Sequence, residues 1–149
     1  MAITQAMCSS FKQQILLGEH DLDTDVIKIA LYTSAATLSA ATTAYTTSDE
    51  VVGTGYTAGG NTLAGATVSL TGTTAFVDFT DTTWTTATIT ARGALIYNTT
   101  PSANSNANTT LTNASVCVLD FGADKTVSND TFQIIFPTAD ATSAIVRIS

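Results

Sequence analysis

The chain carries one histidine, and its neighbours Glu19 and Asp21 make His20 the place where acid–base chemistry would have to begin. Such a base acts only on a nucleophile that the fold brings to it, while a third group orients the ring. No Gly-x-Ser-x-Gly elbow supplies that serine, and carboxylates adjacent in sequence do not make a triad. His20 therefore reads as a solvated loop residue, and the chain as a non-enzyme that needs no cofactor. Asp21, Asp23 and Asp25 alternate, as the oxygen ligands of a calcium loop do at its start. The rest of that loop is missing, because Val26 stands where the sharp turn needs glycine and Tyr32 where a bidentate glutamate closes the shell. Asp21 capping a turn and Asp25 leading into a strand account for the pattern, so no metal is assigned.

Gly53, Gly55 and Ala58 have the spacing of a dinucleotide fingerprint. That fingerprint works when a strand precedes it and a helix follows to receive the pyrophosphate, and neither flank reads that way. Sequons such as Asn98-Thr99-Thr100 and Asn129-Asp130-Thr131 arise by chance in a chain where roughly a fifth of the residues are threonine. Trp84, the single tryptophan, stands among threonines. It reads first as a core plug and second as an aromatic anchor for a partner. Cys8 and Cys117 read as buried thiols that behave as small hydrophobes. Residues 1–5 lack a basic n-region and no apolar h-region follows, which points to a cytoplasmic, reducing site of synthesis.

The 149 residues suit one domain, 1–149, able to bury its own core. Only 11% of them are charged, and the net charge is −7. The five cations, Lys12, Lys28, Arg92, Lys125 and Arg147, are scattered. Phosphate recognition needs clustered cations, so nucleic acid is excluded as a partner, and no run is long enough to span a bilayer. The acidity fits solubility or attraction to a basic partner. Threonine is β-branched and keeps a solvent face wet without charge, so the composition favours strands.

The elements follow from spacing. Ile3, Met7, Phe11 and Ile15 recur every four residues, predicting a helix over 3–17 with Thr4 as N-cap and Gly18 just past its end. Ile27, Ile29 and Leu31 alternate with Lys28 and Ala30 as a half-buried strand. Over 33–65 the pattern dissolves into Ala, Thr, Ser and Gly, which predicts an extended arm or long loop. Short strand signals then return at 66–70, 74–79, 84–91, 94–97, 116–121, 132–136 and 145–148, with a hairpin at Gly72. The tract 98–113, rich in Asn, Ser and Thr, reads as an exposed loop. The expected class is mainly β: an antiparallel β-sandwich or barrel of about seven to nine strands with one N-terminal α-helix.

Several runs resemble a family of small structural proteins of tailed-bacteriophage virions. They are Phe11 with Gly18-Glu19-His20-Asp21-Leu22-Asp23-Thr24-Asp25-Val26-Ile27-Lys28-Ile29-Ala30-Leu31-Tyr32-Thr33-Ser34, then Val51-Val52-Gly53-Thr54-Gly55-Tyr56-Thr57-Ala58-Gly59-Gly60. Ile89-Thr90-Ala91-Arg92-Gly93-Ala94-Leu95-Ile96-Tyr97, Leu119-Asp120-Phe121-Gly122-Ala123-Asp124-Lys125-Thr126 and Phe136-Pro137-Thr138-Ala139-Asp140 continue the likeness. Residues 98–113 have no counterpart in it. The resemblance implies a virion protein assembled in the host cytoplasm, of the capsid decoration or cement type. Such a protein binds the major capsid protein or other virion proteins and forms homo-oligomers. A tail, neck or fibre-attachment subunit is the alternative, and a carbohydrate-binding module using Trp84 and Tyr56 as platforms is a third. The interface expected for the virion reading joins Ile3, Met7 and Phe11 of the helix stripe to Tyr45, Val51, Val52 and Tyr56 of the 33–65 segment, with Trp84 as anchor.

Overall fold

The alternation of Ile27, Ile29 and Leu31 does produce a strand, and the larger sheet is arranged around it. The computed structural model describes residues 2–101 and 111–149. In chain order the elements are β1 (Ala6–Met7), α1 (Ser9–Leu16), β2 (Ile27–Tyr32), β3 (Asn61–Thr62), β4 (Thr67–Thr71), β5 (Thr74–Asp78), β6 (Thr82–Asn98), β7 (Ala114–Ile134) and β8 (Val146–Ile148). One sheet runs β1-β7-β6-β2-β3 and the other β4-β5-β8, and every named strand pair is antiparallel. The expected class is the one observed, as a sandwich-like pair of sheets that does not close into a barrel.

Residues directly opposite across a ladder share a face. The register of β2 with β6 therefore puts Ile27, Ile29 and Leu31 on one face with Asn98, Ile96 and Ala94. Lys28, Ala30 and Tyr32 share the other with Tyr97, Leu95 and Gly93. Both faces are covered, which is why β6 alternates up to Ala91 and is then buried almost without interruption from Gly93 to Asn98. On the first face His20 hydrogen-bonds Asn98 and meets Phe11 of α1 edge-on. On the second, Tyr45 stacks on Tyr97 with centroids 4.7 Å apart, and the Tyr32 hydroxyl donates to the Thr46 carbonyl. Val77, Phe79 and Val146 bring the small sheet into the same core cluster as β2 and β6.

Several boundaries differ from expectation. The helix predicted over 3–17 is only α1, because Ile3 pairs as an isolated bridge with Leu38 and Ala6–Met7 add to the edge of β7. Thr4 is not the N-cap; Cys8 holds that position without a side-chain cap, while Gly18 takes φ 72 just beyond the helix. The signals at 84–91 and 94–97 belong to one strand, as do those at 116–121 and 132–136. The 33–65 segment is a long loop apart from β3 and single bridges, but it is not an arm. Ala36, Leu38, Val51 and Leu63 are buried in the chain's own core. The expected loop 98–113 starts later than predicted, since Asn98 ends β6 fully buried, and 102–110 lie outside the described residues.

Candidate functional site

The loop over β2 is organised by one carboxylate that the sequence did not single out. Glu50 is 6% exposed. Its Oε2 accepts the Tyr45 hydroxyl at 2.6 Å, and its Oε1 accepts the Tyr56 hydroxyl and the Gly59 N–H, both at 2.7 Å. Tyr56 Oη in turn accepts the Leu31 N–H at 2.9 Å, and Tyr97 donates to the Gly59 carbonyl at 2.8 Å. With Tyr32 on Thr46, all four tyrosines are thus bound into the fixing of this loop. Burial, the Glu50 charge and, for Tyr45 and Tyr56, a hydrogen bond to it hold their phenol pKa values up, that of Tyr97 at about 12. The run 53–60 rich in glycine serves close packing here. A Cβ on Gly60, at φ 69, would overlap the Ile29 carbonyl oxygen. The element that follows the run is β3 rather than a helix, so the fingerprint spacing has no phosphate-binding context.

His20 sits in a second polar cluster. Its Nε2 donates to Gln14 Oε1 at 2.8 Å, and Nδ1 accepts from Asn98 Nδ2 at 3.0 Å, which fixes a neutral tautomer. Burial pushes its pKa down, against the opposing pull of Asp25. Asn98 Nδ2 also donates to Asp25 Oδ2 at 2.6 Å, and its Oδ1 accepts the Thr100 N–H. His20 is accordingly a half-buried structural link between α1 and β6, where a solvated loop residue was expected. Asp25 Oδ2 also accepts the Asp21 N–H, so the carboxylate that caps this turn is that of Asp25, where Asp21 was expected to do so, while Oδ1 is buried without a partner. Asp23 is exposed, and its hydrogen bond with Asp21 raises its pKa. Among the described residues, no three His, Cys, Asp or Glu side chains converge as a metal site. Cys8 and Cys117 are buried free thiols, their pKa values raised by burial.

A groove of about 740 Å³ runs along the outer part of β7. Leu119, Phe121, Val127, Phe132, Ile134 and Ile145 line it, and Ile135 lies beside them 71% exposed. Beside it the ladder is irregular: Gly93 pairs with Asp120 and Ala91 with Lys125, so Phe121–Asp124 of β7 stand opposite Arg92 alone as an enlarged bulge. Bulges of this kind recur where a strand is re-aimed beside a functional surface.

Comparison with family models, with curated proteins and with solved structures found no match. The expected interface residues do not form one surface. Ile3, Phe11, Val51 and Trp84 are buried within this chain, because the helix stripe and the 33–65 segment cover its own larger sheet. Met7, Tyr45 and Tyr56 are half-buried against the core, and Val52 alone is fully exposed, at 94%. Trp84 packs between Tyr56 and Phe132, so neither it nor Tyr56 offers a free stacking face to a sugar. The groove was missed because its apolar residues look like ordinary strand signals until the bulge is known.

Proposed function

We propose that this chain is a structural component of a tailed-phage virion, a capsid decoration protein that binds the major capsid protein and stabilises the head shell. The observation that carries this reading is where the sequence likeness falls. Segments 18–34, 51–60, 89–97 and 119–126 supply β2 and its lead-in, the loop seated on Glu50, the second half of β6 and the bulged part of β7. They are one contiguous scaffold, which is what a shared fold would keep.

Two surface properties support attachment to a larger lattice. The groove on β7 exposes apolar surface of the kind that protein partners cover. A net charge of −7 steers the chain toward a basic surface and away from nucleic acid. Each contact can be modest, because copies placed on a rigid shell act at high effective concentration.

Quantitative mass spectrometry of purified particles tests the assignment. A copy number matching the capsid lattice supports decoration. One matching a tail or neck ring moves the chain to the tail, and absence from the particle refutes a virion role.

A further inference from the structure

An edge strand displays unpaired N–H and C=O groups, which folded proteins usually protect with charge, proline or a bulge. β4 has none of these. Its sequence Thr67-Val68-Ser69-Leu70-Thr71 is uncharged, its pairing with β5 is regular from Thr67↔Asp78 to Thr71↔Thr74, and it ends the order β4-β5-β8. Among the described residues, nothing pairs with its outer side.

The hairpin fixes which backbone groups face outward. Thr71 and Thr74 flank the two-residue loop Gly72-Thr73 as a hydrogen-bonded pair. Alternation then turns the N–H and C=O of Thr67, Ser69 and Thr71 toward β5, and those of Val68 and Leu70 toward solvent. The side chains of Val68 and Leu70 share a face with Ala75, Val77, Val146 and Ile148. Val77 and Val146 are in the core, but Val68, Leu70 and Ile148 are 54%, 71% and 46% exposed. The apolar rows thus run from the core out to an open edge.

We propose that the outer edge of β4 is a homodimerisation site, at which two copies pair antiparallel about a two-fold axis through Ser69. The strand is nearly palindromic about that residue. Reversal sets Thr67 against Thr71 of the partner subunit and Val68 against Leu70 of the partner subunit, like with like at every pair. Val68 and Leu70 are the residues whose backbone groups face outward, so each exchanges both ladder bonds with its opposite. Ser69 then meets Ser69 of the partner subunit in the closer, non-hydrogen-bonded arrangement. A second copy satisfies backbone parity and side-chain pattern together by symmetry alone, which makes it the occupant this edge fits best.

Area sets the strength. A stable interface buries roughly 800 Å² per partner, more than a five-residue ladder supplies. The exposed part of the apolar face adds to it, next to a cavity of about 290 Å³ lined by Ile15, Leu22 and Val68. The dimer is therefore weak in dilute solution and favoured where copies are held close together. Two chains of charge −7 repel, so salt strengthens it. This inference stands apart from the virion reading.

Mass measured by light scattering and sedimentation across a concentration series tests it. The full chain is expected to move from 15.4 kDa toward twice that value, more readily at high salt. Val68→Lys/Leu70→Lys is expected to stay monomeric with an unchanged unfolding midpoint, since both side chains are exposed. Ser69→Cys is expected to cross-link to itself on mild oxidation. Thr67→Cys and Thr71→Cys should link to each other, and neither to itself. A chain that stays monomeric at every concentration, with no Ser69→Cys cross-link, overturns the proposal. So does a dimer that survives the lysine substitutions, or open-ended growth of the kind that β4 adding to β8 of another copy would give.

Discussion

Glu50 shows how one side chain can hold a long loop without secondary structure. A buried carboxylate is tolerated only when its oxygens are hydrogen-bonded, and here two phenols and an amide meet that need. Glu50→Ala leaves those donors unpaired, so the loss of unfolding free energy in urea should be on the order of 3 kcal/mol. The tyrosines add an alkaline limit. Their folded-state pKa values lie above the usual 10, so the unfolded chain gives up phenol protons first, and stability present below pH 10 falls as pH rises toward 12. Tyrosinate absorbance and loss of β circular dichroism should appear together; tyrosinate forming with the fold intact would refute the linkage. His20 acts at the other end. Its pKa is lowered, so its contribution is complete above pH 6.5 and declines as pH falls below that value. The difference in stability between wild type and His20→Gln should shrink over that range, and a constant difference would show that folding does not shift the ring's pKa. His20, Tyr45 and Tyr56 stood out in the sequence, but for other roles than those they have. Glu50 stands in a run with no periodicity, and its partners Tyr45, Tyr56 and Gly59 come together only through the loop's path over β2.

At the scale of elements, the short strands were legible, and the expected half-buried β2 is in fact covered on both faces. Alternation found β2, β4 and β5 almost to the residue, and Gly72 at φ 60 marks the expected hairpin. Continuity was hidden where both faces are buried. Gly93 looks like a break between two short strands, yet it lies mid-strand, where the Leu119 carbonyl oxygen and then the Ile3 side chain leave no room for a Cβ. The four-residue spacing of Ile3, Met7, Phe11 and Ile15 overextended the helix, since Ile3 and Met7 serve a bridge and a strand before α1 begins. Strain was equally invisible. Thr86 sits at φ 51 inside β6, where the register shifts between Trp84 and Ala87. A β-branched residue in this left-handed region costs roughly 1–2 kcal/mol, and asparagine tolerates it better. Thr86 is exposed, so Thr86→Asn should raise the thermal unfolding midpoint. An unchanged or lower midpoint would mean that the threonine is not strained.

The whole molecule divides into a scaffold and the surfaces it leaves open. Around β2 and the second half of β6 the larger sheet spends both of its faces internally, one on α1 and the His20 cluster, the other on the loop tied to Glu50. On the proposed function a partner would be met away from that region, and the outer part of β7 offers the groove that Phe121, Val127 and Phe132 line. Ile135 gives the means to test this, because it borders the groove yet is 71% exposed and contributes little to the core. Ile135→Asp should leave the unfolding free energy within about 0.5 kcal/mol of wild type, as exposed substitutions usually do. On addition to particles lacking the protein, the same variant should lose attachment, because an unpaired charge would be buried against an apolar seat. Wild-type occupancy by Ile135→Asp, measured on sedimented particles, would remove the groove from the proposed contact.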